Sequence, residues 1–213
     1  MDQVVMEGSV MLKRGIAICI CAILAACSAP QSEPQPLTGD WTLVPESSQI
    51  AFVSIKAGNV GEAHSFKTES GVVDGTGKAE ISIDLSSVDT AVDIRDERMR
   101  EFLFQVDQFP SATITAQIDP ETMKTLDIGE QQIASTELSL SLHGIEADFD
   151  SDLAVTRISE NRVLVETTKP VIIDATQFAL GDGLEKLREL AELPSISPAV
   201  PVTATLIFAR NDK

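Results

Sequence analysis

The chain of 213 residues has no tyrosine and only two histidines, His64 and His143, which leaves little material for acid-base or nucleophilic catalysis. His143 precedes a glycine in a turn sequence, where its polarity accounts for it. His64 is followed by Ser65, and neighbours along a strand point to opposite faces, so the two make no triad. A phosphate-cradling loop is missing as well, since Gly181-Asp182-Gly183 is too short and has no lysine at the required place. Basic residues are scarce: 16 against 33 acids, for a formal net charge of −17. A surface of that sign repels nucleic acid and anionic lipid headgroups. The only three cysteines are Cys19, Cys21 and Cys27, too few and too close to the N-terminus for a disulfide framework or a cysteine-rich metal site. The acids of the run Glu146, Asp148, Asp150 and Asp152 alternate along an extended chain, about 7 Å apart, and do not converge on one calcium ion. These absences point to a non-enzymatic protein without metal or cofactor.

What is present begins with an export signal. Met11-Leu12-Lys13-Arg14 is basic, Gly15 to Ala26 is apolar but shorter than the roughly 20 residues of a spanning helix, and polar sequence rich in proline follows. The segment Leu24-Ala25-Ala26-Cys27 resembles the bacterial lipobox, which implies cleavage before Cys27, acylation of that cysteine and anchoring by several acyl chains. Ser28 after the cysteine, where an aspartate would retain the protein at the inner membrane, points to an outer-membrane location facing the periplasm. The expected division is a signal peptide over 1–26, with the true start at Met11, a lipidated cysteine and flexible tether over 27–38, and one domain over 39–210. With both leader cysteines removed, Cys27 alone remains.

Within that domain the dominant period is two. Ala79, Ile81, Ile83 and Leu85 alternate with Lys78, Glu80, Ser82 and Asp84, as expected of a strand with one wet face. The same alternation runs through Ile50 to Ser54, Ala112 to Asp119, Thr136 to His143, Ile145 to Leu153, Val163 to Thr167 and Val200 to Phe208. Pro170 interrupts one of these, and the run resumes through Val171 to Ile173. Two turns are legible, Asp74-Gly75-Thr76-Gly77 and His143-Gly144, because aspartate and glycine tolerate positive φ. Helical spacing occurs twice, in Asp93 to Phe104 and in Asp182 to Leu193, where Asp182 is the expected cap, Glu185 its capping-box partner and Pro194 the stop. The spacing predicts an all-β antiparallel fold, barrel or sandwich, of about eight strands with two short helices and no βαβ unit. Trp41 near the domain start reads as a plug for one end.

Three segments combine into a longer pattern: Ser86-Ser87-Val88-Asp89-Thr90, then Arg95-Asp96-Glu97-Arg98-Met99-Arg100, then Phe109-Pro110-Ser111-Ala112-Thr113. Together with Leu140-Ser141-Leu142-His143-Gly144, they resemble the YceI-like family of bacterial envelope proteins, over about Gly39 to Arg210. The resemblance implies a lipocalin-like antiparallel barrel that encloses a polyisoprenoid or similar amphiphilic lipid, with no enzymatic role. Arg95 and Asp96 match the family's arginine-aspartate pair, whereas Arg98 and Met99 stand where many members have histidine and leucine, which implies a different headgroup.

The expected function is therefore binding, carriage or sequestration of an amphiphilic lipid in the cell envelope. The alternative is a filled barrel that serves as a protein-interaction module for an unidentified partner. Contacts expected for the tail are Phe52, Ile81, Ile83, Ile114, Leu138, Leu140, Phe149, Val165, Leu206 and Phe208, each in the apolar phase of its strand. Those expected for an anionic headgroup are Arg95 and Arg98, since arginine forms forked bonds to phosphate. Arg95 also has a structural reading, as the partner of Asp89 or Asp93 in a loop over the sheet end.

Overall fold

The computed structural model describes residues 36–124 and 126–211. The expected leader, the start at Met11, Cys27 and the tether up to residue 35 lie outside them. Eleven strand segments are formed among the described residues: β1 (Trp41–Leu43), β2 (Gln49–Lys56), β3 (Val60–Phe66), β4 (Thr68–Val73), β5 (Lys78–Asp84), β6 (Ser111–Gln117), β7 (Gln131–Leu142), β8 (Ile145–Ser159), β9 (Arg162–Thr167), β10 (Val171–Asp174) and β11 (Ala199–Arg210). Every pairing between them is antiparallel.

Three strands of this sheet are broken in two, so the eleven segments form eight staves. β1 and β2 both pair with β11, β3 and β4 pair with β2 and β1, and β9 and β10 both pair with β11. Around the sheet, each stave then neighbours the ones before and after it in sequence, and the pairing of β1 and β2 with β11 closes the ring. The fold is thus an antiparallel barrel: the alternating runs left barrel or sandwich open, and the family resemblance implied the lipocalin-like barrel. The breaks have local causes. A single 3-10 turn at Pro45–Ser47 separates β1 from β2, and Pro170, which has no N–H to give to a ladder, separates β9 from β10.

The long hairpin of β7 and β8 turns at His143 and Gly144, with φ of 52° and 77°. Two successive positive φ values match the twist of the strands that they join. The β4 to β5 turn is held by Asp74, whose Oδ1 accepts from the Thr76 N–H at 2.8 Å and from the Lys78 N–H at 3.1 Å.

Both expected helices lie at one end of the barrel. Helix α1 (Asp93–Arg98) runs on as a π-turn over Met99–Leu103, and α3 (Gly181–Leu190) crosses it; a single turn, α2 (Pro120–Met123), lies between them in sequence. Gly183 permits the crossing, because a Cβ there would stand 2.6 Å from the Phe102 carbonyl oxygen. The capping expectation fails in detail. Leu180 occupies the position before α3, no side chain caps that end, and Glu185 pairs with Arg188 instead, its Oε1 2.6 Å from Nη2. Asp182 sits one residue inside the helix, where it still favours the positive end of the dipole.

Candidate ligand-binding site

The barrel is hollow. Its interior is divided into two chambers of about 410 and 400 Å³, each within the range of small-molecule sites. The upper one lies under α1 and α3, and the lower one runs toward the segment Leu37–Trp41 and the β4 to β5 turn. Four residues line both: Ile114, Leu138, Thr167 and Ala204.

All ten side chains expected to touch a tail face this interior. Phe52, Ile83, Leu140 and Phe149 line the upper chamber, Ile81, Val165, Leu206 and Phe208 line the lower, and Ile114 and Leu138 line both. The period-two pattern therefore selected the inward phase on each strand that carried it. Trp41 is buried at the far end of the lower chamber, with the Arg210 guanidinium 5.9 Å from its ring centre. Local bonds fix the chain at that end. The Gly75 N–H donates to Asp40 Oδ1 at 2.9 Å, Arg210 donates to the Pro36 carbonyl at 3.2 Å, and Leu37 is buried against the chamber.

One wall of the upper chamber is polar, and it includes β3, a strand that the alternation did not reveal. Its inward phase carries Glu62, His64 and Phe66, so the apolar signal that marks the other strands is replaced by charge. Glu62 Oε2 is 2.8 Å from Lys56 Nζ and 2.6 Å from Arg95 Nη1. These two cations hold its carboxyl below the usual range, the hydrogen bond from Lys56 contributing most. His64 is buried, and its Nε2 lies 2.8 Å from Ser54 Oγ, while its Nδ1 has no partner among the described residues. Burial, and then the nearby Arg95 charge, push its pKa below the ordinary histidine value, so it is neutral near pH 7.

Arg95 and Arg98 both line this chamber, but they are not equally free. Arg95 donates to Thr90 Oγ1 at 2.8 Å, to the Thr90 carbonyl at 2.7 Å and to Glu62. Asp96 accepts from both the Thr90 N–H and its hydroxyl. The arginine-aspartate pair thus clamps Thr90 and reaches β3. Neither Asp89 nor Asp93 pairs with Arg95, because Thr90 and Glu62 occupy its guanidinium. Arg98 has a single carbonyl contact, to Leu190 at 3.2 Å, and joins α1 to the end of α3. Among the described residues, no group of three histidine, cysteine or acidic side chains is placed to hold a metal ion.

Comparison with known proteins gives a consistent picture. The profile of the YceI-like domain matches residues 41–208. A solved polyisoprenoid binding domain from Saccharophagus degradans, implicated in plant cell wall breakdown, is 36% identical; the match covers 80% of this chain and 98% of that one, with a TM-score of 0.78. Burkholderia cenocepacia BcnA shares the fold at 14% identity and a TM-score of 0.56, covering 78% of this chain and 98% of its own. No curated protein sequence matches this chain.

Proposed function

From the premise that this chain belongs to the YceI-like family, we propose that its barrel binds and carries, or sequesters, a polyisoprenoid-type or other amphiphilic lipid. The tail lies along the ten inward apolar side chains, and the polar end sits beneath α1, near Arg98 and the wall that Arg95 organises. The observation that carries this reading is the hollow, largely apolar interior, with Lys56, Arg95 and Arg98 gathered beneath the helices at one end. A buried tail gains roughly 0.8 kcal/mol per CH₂ before binding costs, so many small contacts outweigh any single one. The hollow interior favours a carrier over the filled-barrel docking module.

Leu140→Trp tests it. The added bulk should fill the upper chamber and abolish co-purifying lipid, seen by native mass spectrometry before and after delipidation, at a stability cost of about 1 to 3 kcal/mol. Lipid retained at full stoichiometry in a folded variant would place the ligand outside the barrel.

We also propose that residues 1–26 direct export, that Cys27 is acylated, and that the domain is tethered to the outer membrane on its periplasmic side. The lipobox-like segment supports this. Cys27→Ser should abolish labelling by a palmitate analogue, and equal labelling of the variant would refute the anchor.

A further inference from the structure

Two chambers could hold two ligands or two halves of one. We propose that the stretch where they meet, lined by Ile114, Leu138, Thr167 and Ala204, is a constricted passage through which one tail threads, and that Ala204 sets the length of chain the protein accepts. The inference rests on the lipid-binding reading above and adds a determinant of specificity to it.

The shared stretch lies where the wall is discontinuous. The β9 to β11 ladder ends at Glu166 and Thr205, and the β10 to β11 ladder begins only at Val171 and Val202. Between them the Ala204 N–H finds the Thr167 hydroxyl at 3.2 Å instead of a main-chain carbonyl. A side-chain acceptor thus bridges the gap that Pro170 makes, and it holds Thr167 and Ala204 side by side on the lining. Ile114 and Leu138 stand on β6 and β7, separated from that pair by β8. Of the inward positions along β11, namely Val200, Val202, Ala204, Leu206 and Phe208, the smallest side chain falls at the constriction. A larger residue there would narrow the only stretch of lining common to the two chambers among the described residues.

The charges along this passage differ in sign from end to end. Lys56, Arg95 and Arg98 line the upper chamber against the one acid Glu62, whereas the lower chamber has Asp74 and Glu121 against Lys124. A threaded amphiphile with an anionic end is therefore oriented, that end up and the tail down. Its affinity should rise with chain length until the tail reaches Trp41.

The test uses straight-chain primary alcohols of increasing length, which compete with a fluorescent fatty acid for the purified protein. For the natural sequence, affinity should improve up to about fourfold per added methylene, the equivalent of ~0.8 kcal/mol each, across the whole span of both chambers. Ala204→Phe should follow the natural protein for short alcohols and then stop improving, and Ala204→Leu should give a weaker form of the same break. Leu206→Trp, deeper in the lower chamber, should break at a longer chain, and this second position keeps the test decisive if Ala204→Phe folds poorly. Native mass spectrometry should count one long alcohol per barrel. A natural protein that stops improving at the length where Ala204→Phe does, two long alcohols per barrel, or variants that track the natural protein throughout would each overturn the threading. Failure of any alcohol to displace the probe from the natural protein would instead overturn lipid binding itself, and the length determinant with it.

Discussion

The two ends of the barrel use hairpin glycines differently. At the upper end, Gly58 in the β2 to β3 turn has a φ of 81° and open space around it; at the lower end, Gly77 in the β4 to β5 turn has a φ of 84°, and a Cβ there would lie 1.9 Å from the Ile118 carbonyl oxygen. One turn is free at its tip and the other is wedged against the chain. The same contrast runs through the chambers. The lower is bordered by Leu37 and Trp41 and braced by the Asp40 and Arg210 bonds, whereas the upper is roofed by two short helices joined at Gly183 and through Arg98. The two ends thus differ in how tightly the chain is packed at the turns that close them.

Substitutions at the two glycines should break this comparison most sharply. Gly77→Ala is expected to cost about 3 kcal/mol or more, because both the backbone conformation and the packing forbid a side chain. Gly58→Ala meets only the conformational penalty of about 1 to 2 kcal/mol. Urea melts of the two variants measure the difference, and equal losses would mean that the floor is no tighter than the rim.

Next comes Arg157 on β8, beyond the lower chamber, which is 1% exposed. Among the described residues it has no carboxylate partner in reach of a salt bridge; its guanidinium donates to the carbonyls of Leu126, Ser159 and Glu160 at 3.0 to 3.2 Å. It thereby fixes the chain around Leu126 to the end of β8. Arg157→Met removes these donors and leaves buried acceptors, with an expected loss on the order of 2 to 3 kcal/mol. A midpoint within error of the natural protein would show that the loop is held otherwise.

At the upper end, the prediction concerns selectivity. Glu62 engages both Lys56 and Arg95, so Glu62→Gln should free two cations at the chamber wall. Affinity for an alkyl phosphate should rise relative to the matching alcohol, on the order of tenfold, which corresponds to ~1.4 kcal/mol. An unchanged ratio would remove this wall from the headgroup site.

The smallest effect expected is the pH response of His64. Its folded-state pKa lies below its unfolded one, so the unfolded chain takes up the proton first as pH falls. This contribution to stability is complete above the ordinary histidine range and declines as pH drops through that range toward the folded value. Glu62, whose pKa is lowered by Lys56 and Arg95, adds its own loss further into the acid, as pH drops through the ordinary carboxylate range toward the folded value. Thermal midpoints of His64→Gln should therefore fall less than those of the natural protein between about pH 7 and pH 5. Parallel curves would show that burial of this imidazole has no linkage to folding.

By itself, the sequence determined the all-β class, the inward phase of most strands and the His143-Gly144 and Asp74 to Gly77 turns. These follow from period-two alternation and from residues that tolerate positive φ, both of which are local properties. Tertiary structure alone decided what charge and distance obscure. The inward face of β3 is polar because Glu62 and His64 meet Lys56, Ser54 and Arg95 across the wall, so the strand carries no apolar rhythm to read. The partner of Arg95 lies 33 residues away, on that unread strand, which is why the nearby acids Asp89 and Asp93 were the partners expected from sequence. Neither the division of the interior into two chambers nor the place of Ala204 between them can be written in alternation. A lining residue looks the same in sequence whether it faces a void, a constriction or another side chain, and only closure of the ring sets the distance across it.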